Sequence, residues 1–139
     1  MKLTLIRGIP GSGKTTLAHK LIGGNDVIME ADHFFQKPSG YNYNIKLIRE
    51  AHMWCQSCTA YHLFRGRNVI VSNTSIHFRD LECYYDIAKK FNAEFEIINC
   101  TGDYKNIHDV PEETLNIMAN NFIEISTEDF IKKLEENNS

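Results

Sequence analysis

KLTLIRGIPGSGKTTLAHKLI, residues 2–22, decides the fold. Its first part, Lys2 to Arg7, is a short β-rich run that stops at a glycine and reads as a strand. Its last part, Lys14 to Ile22, sets Leu17, Leu21 and Ile22 at helical spacing, and Gly23-Gly24 ends the pattern. Between them, Gly8 to Thr15 satisfies G-x-x-x-x-G-K-[ST] at every fixed position. A strand, a glycine-rich turn and a helix in that order form a phosphate cradle. The glycines let successive backbone N–H groups turn inward around an anion, and the helix aims its positive end at the same point. Lys14 then reaches the β- and γ-phosphates, and the Thr15 hydroxyl coordinates Mg²⁺. The expected ligand is ATP with magnesium, held by Gly8, Pro10, Gly11, Ser12, Gly13, Lys14, Thr15 and Thr16.

Outward from this loop, strands and helices alternate. Val27 to Met29 reads as a second strand, and the stretch from Glu30 to Asn44, with Pro38 and Gly40, as a loop. Asn44 is placed to cap a long helix to about Arg65, with Leu47, Ala51, Trp54, Cys58 and Tyr61 on one face. Asn68 to Ser72 is nearly all apolar, as a strand covered on both faces should be. A helix over Arg79 to Phe91, with Leu81, Tyr84 or Tyr85, and Ala88 inward, leads to a fourth strand from Glu94 to Cys100. Pro111 opens another helix, and Ser126 or Thr127 starts the last one. The pattern predicts an α/β fold of the three-layer P-loop NTPase type. Its mostly parallel sheet has four or five strands, with helices on both faces. One domain over 1–139 is expected, with 126–139 as a C-terminal helix and frayed tail.

The formal net charge is −3, so contact with nucleic acid must be local rather than a broad basic field. No apolar run approaches the roughly 20 residues that cross a bilayer, so no membrane partner is expected. The N-terminus reads as no secretion signal, which points to the cytoplasm and to free thiols at Cys55, Cys58, Cys83 and Cys100. Cys55 and Cys58 stand alone as a pair inside a helical pattern, so they read as helix-face residues rather than a redox or zinc motif.

The phosphate loop alone does not separate a kinase from other NTPases, but the length suits a small kinase and no N-K-x-D base-reading motif is present. Further motifs narrow the choice. They are Val27-Ile28-Met29-Glu30-Ala31-Asp32-His33-Phe34-Phe35, Glu50-Ala51-His52 with Trp54, Val69-Ile70-Val71-Ser72-Asn73-Thr74, and Asn106 with His108, Val110 and Pro111. In this order, over roughly residues 1–122, the chain resembles the phage-type polynucleotide 5′-hydroxyl kinases and the small ATP-binding modules similar to them.

The resemblance implies that Asp32 is the general base for the acceptor hydroxyl. Glu30, two residues earlier, shares its side of the strand if the extended geometry continues, and is the backup candidate. It implies a lid cation, for which Lys105 is the matching residue. Where that family carries an acid near magnesium at the end of the third strand, this chain has Ser72-Asn73-Thr74; Asn73 is then expected to meet a magnesium-bound water or the acceptor. An arginine that meets nucleic-acid phosphate in the phage enzymes is Phe35 here, with Lys37 and Arg79 as compensating cations. Arg49, His52 and Gln56 share a flank of the long helix, which reads either as lining for the acceptor pocket with Tyr41 or Tyr43 or as a solvated edge beside the Trp54 face. The resulting reading is phosphoryl transfer from ATP to a hydroxyl, foremost the 5′-OH of DNA or RNA. The alternatives are a kinase for a small molecule or modified base, and an ATP-binding or ATPase module without kinase activity.

Overall fold

The structure, a computed structural model, describes residues 1–75, 77–100 and 112–138. Strand β1 (Lys2–Arg7) runs into the glycine-rich loop and helix α1 (Lys14–Leu21). Strand β2 (Val27–Met29) ends in a 3₁₀ turn (Ala31–Phe35) and a small antiparallel hairpin, β3 (Gln36–Lys37) and β4 (Gly40–Tyr41). A second 3₁₀ turn leads into α2 (Ile48–Phe64), followed by β5 (Val69–Asn73), α3 (Phe78–Lys90) and β6 (Glu94–Asn99). Helices α4 (Glu112–Asn121) and α5 (Thr127–Asn137) complete the described chain.

The main sheet has the order β2-β5-β1-β6, and every pairing in it is parallel. Side-chain alternation divides its two faces. Leu3, Leu5, Met29, Val69, Val71 and Ile97 point into one core, together with Ala51, Leu81, Tyr84 and Phe130 from α2, α3 and α5. Ile6 and Ile70 point to the opposite face and meet Ala18 of α1. Helix, sheet and helix thus make the three expected layers.

Two helix faces depart from the sequence reading. On α2 the buried residues are Ala51, Cys55, Thr59 and Leu63, while Trp54 and Cys58 pack only partly and Tyr61 is exposed. Small side chains at every fourth position let the helix approach the sheet and push the large rings to its flanks. Leu47 lies in the preceding 3₁₀ turn, so it does not follow the helical phase. On α1 it is Ala18 that is fully buried, and Leu21 and Ile22 stay exposed. Asn44, expected to cap the long helix, caps the 3₁₀ turn before it instead, accepting from the Lys46 N–H, and α2 starts after Leu47 without a side-chain cap; the Ser126 hydroxyl accepts from the Asp129 N–H. Thr127 accepts from the backbone N–H of Ile97, docking α5 on the outer strand β6.

Candidate active site

The C-terminal ends of all four parallel strands are stitched together around the glycine-rich loop. Gly8 donates its N–H to Thr74 O beyond β5, and Cys100 beyond β6 donates its N–H to Arg7 O. Ala31 beyond β2 donates its N–H to the Asn73 side chain at 2.9 Å. This is the edge of an α/β sheet at which ligands bind.

Close approach explains the first glycine. A Cβ at Gly8 would lie 2.4 Å from Ser12 Oγ and 2.5 Å from Cys100 O. Gly13, which caps α1, has φ of 91°, a left-handed conformation that suits glycine. No side chain caps the first turn of α1, and it contains no acid. The N–H groups of Lys14, Thr15 and Thr16 therefore face the loop side with the positive end of the helix. Ser12 is buried, and its hydroxyl has no hydrogen-bond partner among the described residues. Lys14 folds back so that Nζ donates to Ile9 O at 3.0 Å. Burial pushes the Lys14 pKa down, against the opposing influence of Cys100 and Glu30. The loop gathers the Lys14 ammonium, the buried Ser12 hydroxyl and the N–H groups of a helix start, the chemistry that takes a polyphosphate.

Two carboxylates stand just past β2, in different surroundings. Glu30 is the last extended residue, with φ −134° and ψ 134°, and the chain then tightens into the 3₁₀ turn. Extended geometry does not continue to Asp32, so the two side chains diverge rather than share a side. Glu30 accepts from the Thr15 hydroxyl at 2.8 Å and pairs with His33 at 2.9 Å. Burial opposes its ionisation, yet hydrogen bonds from His33 and Thr15 and the charge of His33 hold Glu30 below the usual carboxylate range. Asp32 instead accepts a hydrogen bond from the Tyr41 hydroxyl at 2.6 Å. Partial burial and the Asp32 carboxylate push the Tyr41 pKa up, so the phenol remains a donor.

The Thr15 hydroxyl and the Glu30 carboxylate are hard oxygen donors, which suit magnesium. A magnesium ion bound with a triphosphate needs only one or two protein oxygens, because phosphates and water supply the rest. The lack of any group of three or more His, Cys, Asp or Glu ligands among the described residues is therefore compatible with such an ion.

Other expected site residues are more dispersed. Asn73 is buried, and both ends of its amide are engaged: Oδ1 accepts from Ala31, and Nδ2 donates to the Tyr84 hydroxyl at 3.3 Å and faces Cys55 Sγ at 3.7 Å. Asn73 thus ties β2 to β5 beneath the site, and Oδ1 keeps a second lone pair for a water or an acceptor. His52 is half-buried on α2, and Arg79 is exposed in the first turn of α3. Phe35 is buried in the core, with its ring against Phe34, Tyr41 and Tyr43. Lys105 lies outside the described residues.

Arg7 escaped the sequence reading altogether. It is 1% exposed, directly before the loop. Its guanidinium donates to Ser75 O, to Asn99 Oδ1 and to Ile123 O, and lies 4.3 Å from the centroid of the Phe122 ring. The signal was an arginine at the end of β1, directly before the glycine-rich loop. The four cysteines are all free, with Cys55 buried and Cys58 partly so on α2. No helix among the described residues is long and apolar enough to cross a membrane.

Known proteins share this framework. The human NEDD4-binding protein 2 is 29% identical to the chain over an alignment covering 86% of it, which spans only 8% of that relative's length. Among solved structures, Kti12 of Chaetomium thermophilum in complex with ADP-AlF3 is similar with a TM-score of 0.65 at 15% identity, covering 88% of this chain and 80% of that one. The Pnkp1/Rnl/Hen1 RNA repair complex gives a TM-score of 0.54 at 21% identity, covering 94% and 42%. The Mycobacterium tuberculosis APS kinase CysC in complex with AMPPNP and APS gives 0.54 at 15% identity, covering 84% and 66%. At these identities the structural likeness speaks for a kinase-like P-loop fold. The profile of the AAA domain family AAA_33 matches residues 3–110, and the chain belongs to that family.

Proposed function

We propose that the chain transfers the γ-phosphoryl group of ATP to a hydroxyl acceptor, with the 5′-OH of a polynucleotide as the favoured acceptor. One observation carries this reading: the Asp32 carboxylate, just past β2 at the loop edge of the sheet, already accepts a hydrogen bond from a hydroxyl, that of Tyr41. An acceptor hydroxyl bound in the same way has its proton directed at a base. Phosphoryl transfer asks little else of the protein beyond positioning and charge. The loop N–H groups and Lys14 orient the triphosphate, and Thr15 supplies an oxygen to magnesium. Magnesium, when bound, neutralises charge on the β- and γ-phosphates. Lys105 is proposed as the lid cation. On that assignment Lys105→Ala lowers kcat far more than ATP affinity, and Lys105→Arg keeps or raises activity.

Pnkp1, the structural neighbour from an RNA repair complex, supports a polynucleotide acceptor by likeness of fold. Phe35 favours a second reading. It lies in the core where the phage enzymes carry a phosphate-binding arginine, so a small hydroxyl compound is the rival acceptor. The test is transfer of labelled γ-phosphate to single- and double-stranded 5′-OH oligonucleotides beside a panel of nucleosides. Labelled oligonucleotide supports the first reading, and labelled nucleoside the second. ATP hydrolysis indifferent to every acceptor would leave an ATP-binding module instead.

A further inference from the structure

We propose that Glu30 is the carboxylate partner of the magnesium ion that accompanies the triphosphate, supplying from the end of β2 the negative charge that the end of β5 lacks. The inference rests on the nucleotide-binding part of the function proposed above.

Strand register places the residue. Met29 pairs with Val71, so the next residues, Glu30 and Ser72, sit side by side at the loop edge of the sheet. Alternation then sets their faces. Met29 and Val71 point into the core beneath α2, whereas Ile70 points to the α1 face. Glu30 and Ser72 follow that second phase, and Thr15 opens α1 on the same side. The 2.8 Å hydrogen bond from Thr15 to Glu30 completes the geometry. In that bond the carboxylate accepts from the hydroxyl that the phosphate loop directs at magnesium.

Ser72 is the second, independent observation. It is 4% exposed, and its hydroxyl has no well-formed hydrogen bond among the described residues. It lies close enough to help hold the Glu30 charge. A short, neutral hydroxyl beside a carboxylate is a pairing in which β5 contributes room and β2 contributes charge. Asp32 is not the alternative source of that charge, because it turns away into the 3₁₀ segment to meet Tyr41. The two acids therefore divide the work: Glu30 serves the metal side of the triphosphate, and Asp32 the acceptor side.

The experiment measures ATP affinity by calorimetry, in EDTA and in excess Mg²⁺, for the wild type, Glu30→Gln, and Glu30→Gln combined with Ser72→Asp. Folding of each variant is checked by circular dichroism and thermal midpoint. In EDTA, Glu30→Gln binds ATP at least as tightly as the wild type, because one negative charge near the phosphates is gone. The tightening produced by Mg²⁺ is roughly 10- to 100-fold smaller in Glu30→Gln than in the wild type. Adding Ser72→Asp restores part of it, since the charge returns from the neighbouring strand. A Glu30→Gln protein with wild-type magnesium dependence overturns the assignment, as does a double variant that recovers none of it. A wild type that binds ATP equally with and without Mg²⁺ overturns this proposal alone. A wild type that binds no ATP in either condition removes the nucleotide reading as well.

Discussion

The hydroxyl of Tyr41, on the β3–β4 hairpin, is 2.6 Å from the carboxylate of Asp32, in the 3₁₀ turn that precedes the hairpin. The contact gives Asp32 a proton-bearing partner in the absence of any acceptor. It comes from a segment that the sequence presents as a plain loop. If Asp32 is the base, Tyr41 holds the place of the acceptor hydroxyl and must yield it.

Tyr41→Phe separates two roles for this contact. Removing the phenol oxygen leaves the ring against Phe35 and takes away the hydroxyl with which an acceptor competes for the carboxylate. We expect the acceptor KM to fall by roughly two- to tenfold, the worth of one exchanged hydrogen bond, with kcat held or raised. A rise in KM together with a lower kcat would show instead that Tyr41 orients the base.

Asp32→Asn keeps shape and hydrogen-bonding capacity but loses basicity and charge. ATP binding should stay within a few-fold, while transfer to the acceptor falls by roughly 10²–10⁴-fold. Steady-state transfer beside nucleotide titration measures both. Full transfer activity in this variant is the outcome that sinks the base assignment.

Gly8→Ala tests the cradle by volume alone. The added methyl meets Ser12 Oγ and the Cys100 carbonyl well inside contact distance, and the carbonyl is backbone that cannot swing away. We expect a stability loss of about 1–3 kcal/mol and weaker ATP binding, since the loop must open to admit the methyl. Denaturant titration and calorimetry give the two numbers. Wild-type values for both would mean that the loop is not held against β6.

Arg7 links β1, the residues after β5, β6 and the segment between α4 and α5 through one guanidinium. Arg7→Ala leaves the Ser75 and Ile123 carbonyls and the Asn99 side chain without that donor. The expected cost is about 2–5 kcal/mol in chemical denaturation. Arg7→Lys keeps the charge but loses the fork, so it should fall between Arg7→Ala and the wild type. A change below about 0.5 kcal/mol in Arg7→Ala would put the tie among ordinary surface contacts.

The sequence carried the loop, the four strands of the main sheet and the helices between them, because each of those signals is local. Gly8 to Thr15 declares itself by residue type, and Val69 to Val71 by an apolar run between turns. What stayed hidden depends on how elements meet. The phase of α2 turned toward Ala51, Cys55 and Thr59 because small residues set the distance to the sheet, a property of the pair rather than of the helix. Glu30 gained its partner Thr15 only when β2 was laid beside β5 and α1 across the same face. Arg7 was invisible for a similar reason. Its acceptors lie 68, 92 and 116 residues away along the chain.

Lys14→Ala addresses the nucleotide itself. In the structure the Lys14 ammonium rests on the Ile9 carbonyl, a partner inside the loop rather than in the core. Burial pushes its pKa down while Glu30 and Cys100 oppose the shift, so the charge sits in a partly desolvated place where an added anion gains much from it. A triphosphate entering the cradle takes over from the carbonyl as the partner of Nζ. Truncation to alanine removes that attraction and leaves no buried group of the core unsatisfied, because its partner, the Ile9 carbonyl, belongs to the half-buried loop. The thermal midpoint of Lys14→Ala should therefore stay near that of the wild type, while triphosphate affinity and ATP-dependent activity are lost. Loss of folding in the variant would show that Lys14 holds the loop together. Unchanged ATP affinity in a folded variant would rule out the Gly8–Thr15 cradle as the nucleotide site, and the function proposed for Asp32 would lose its phosphoryl donor.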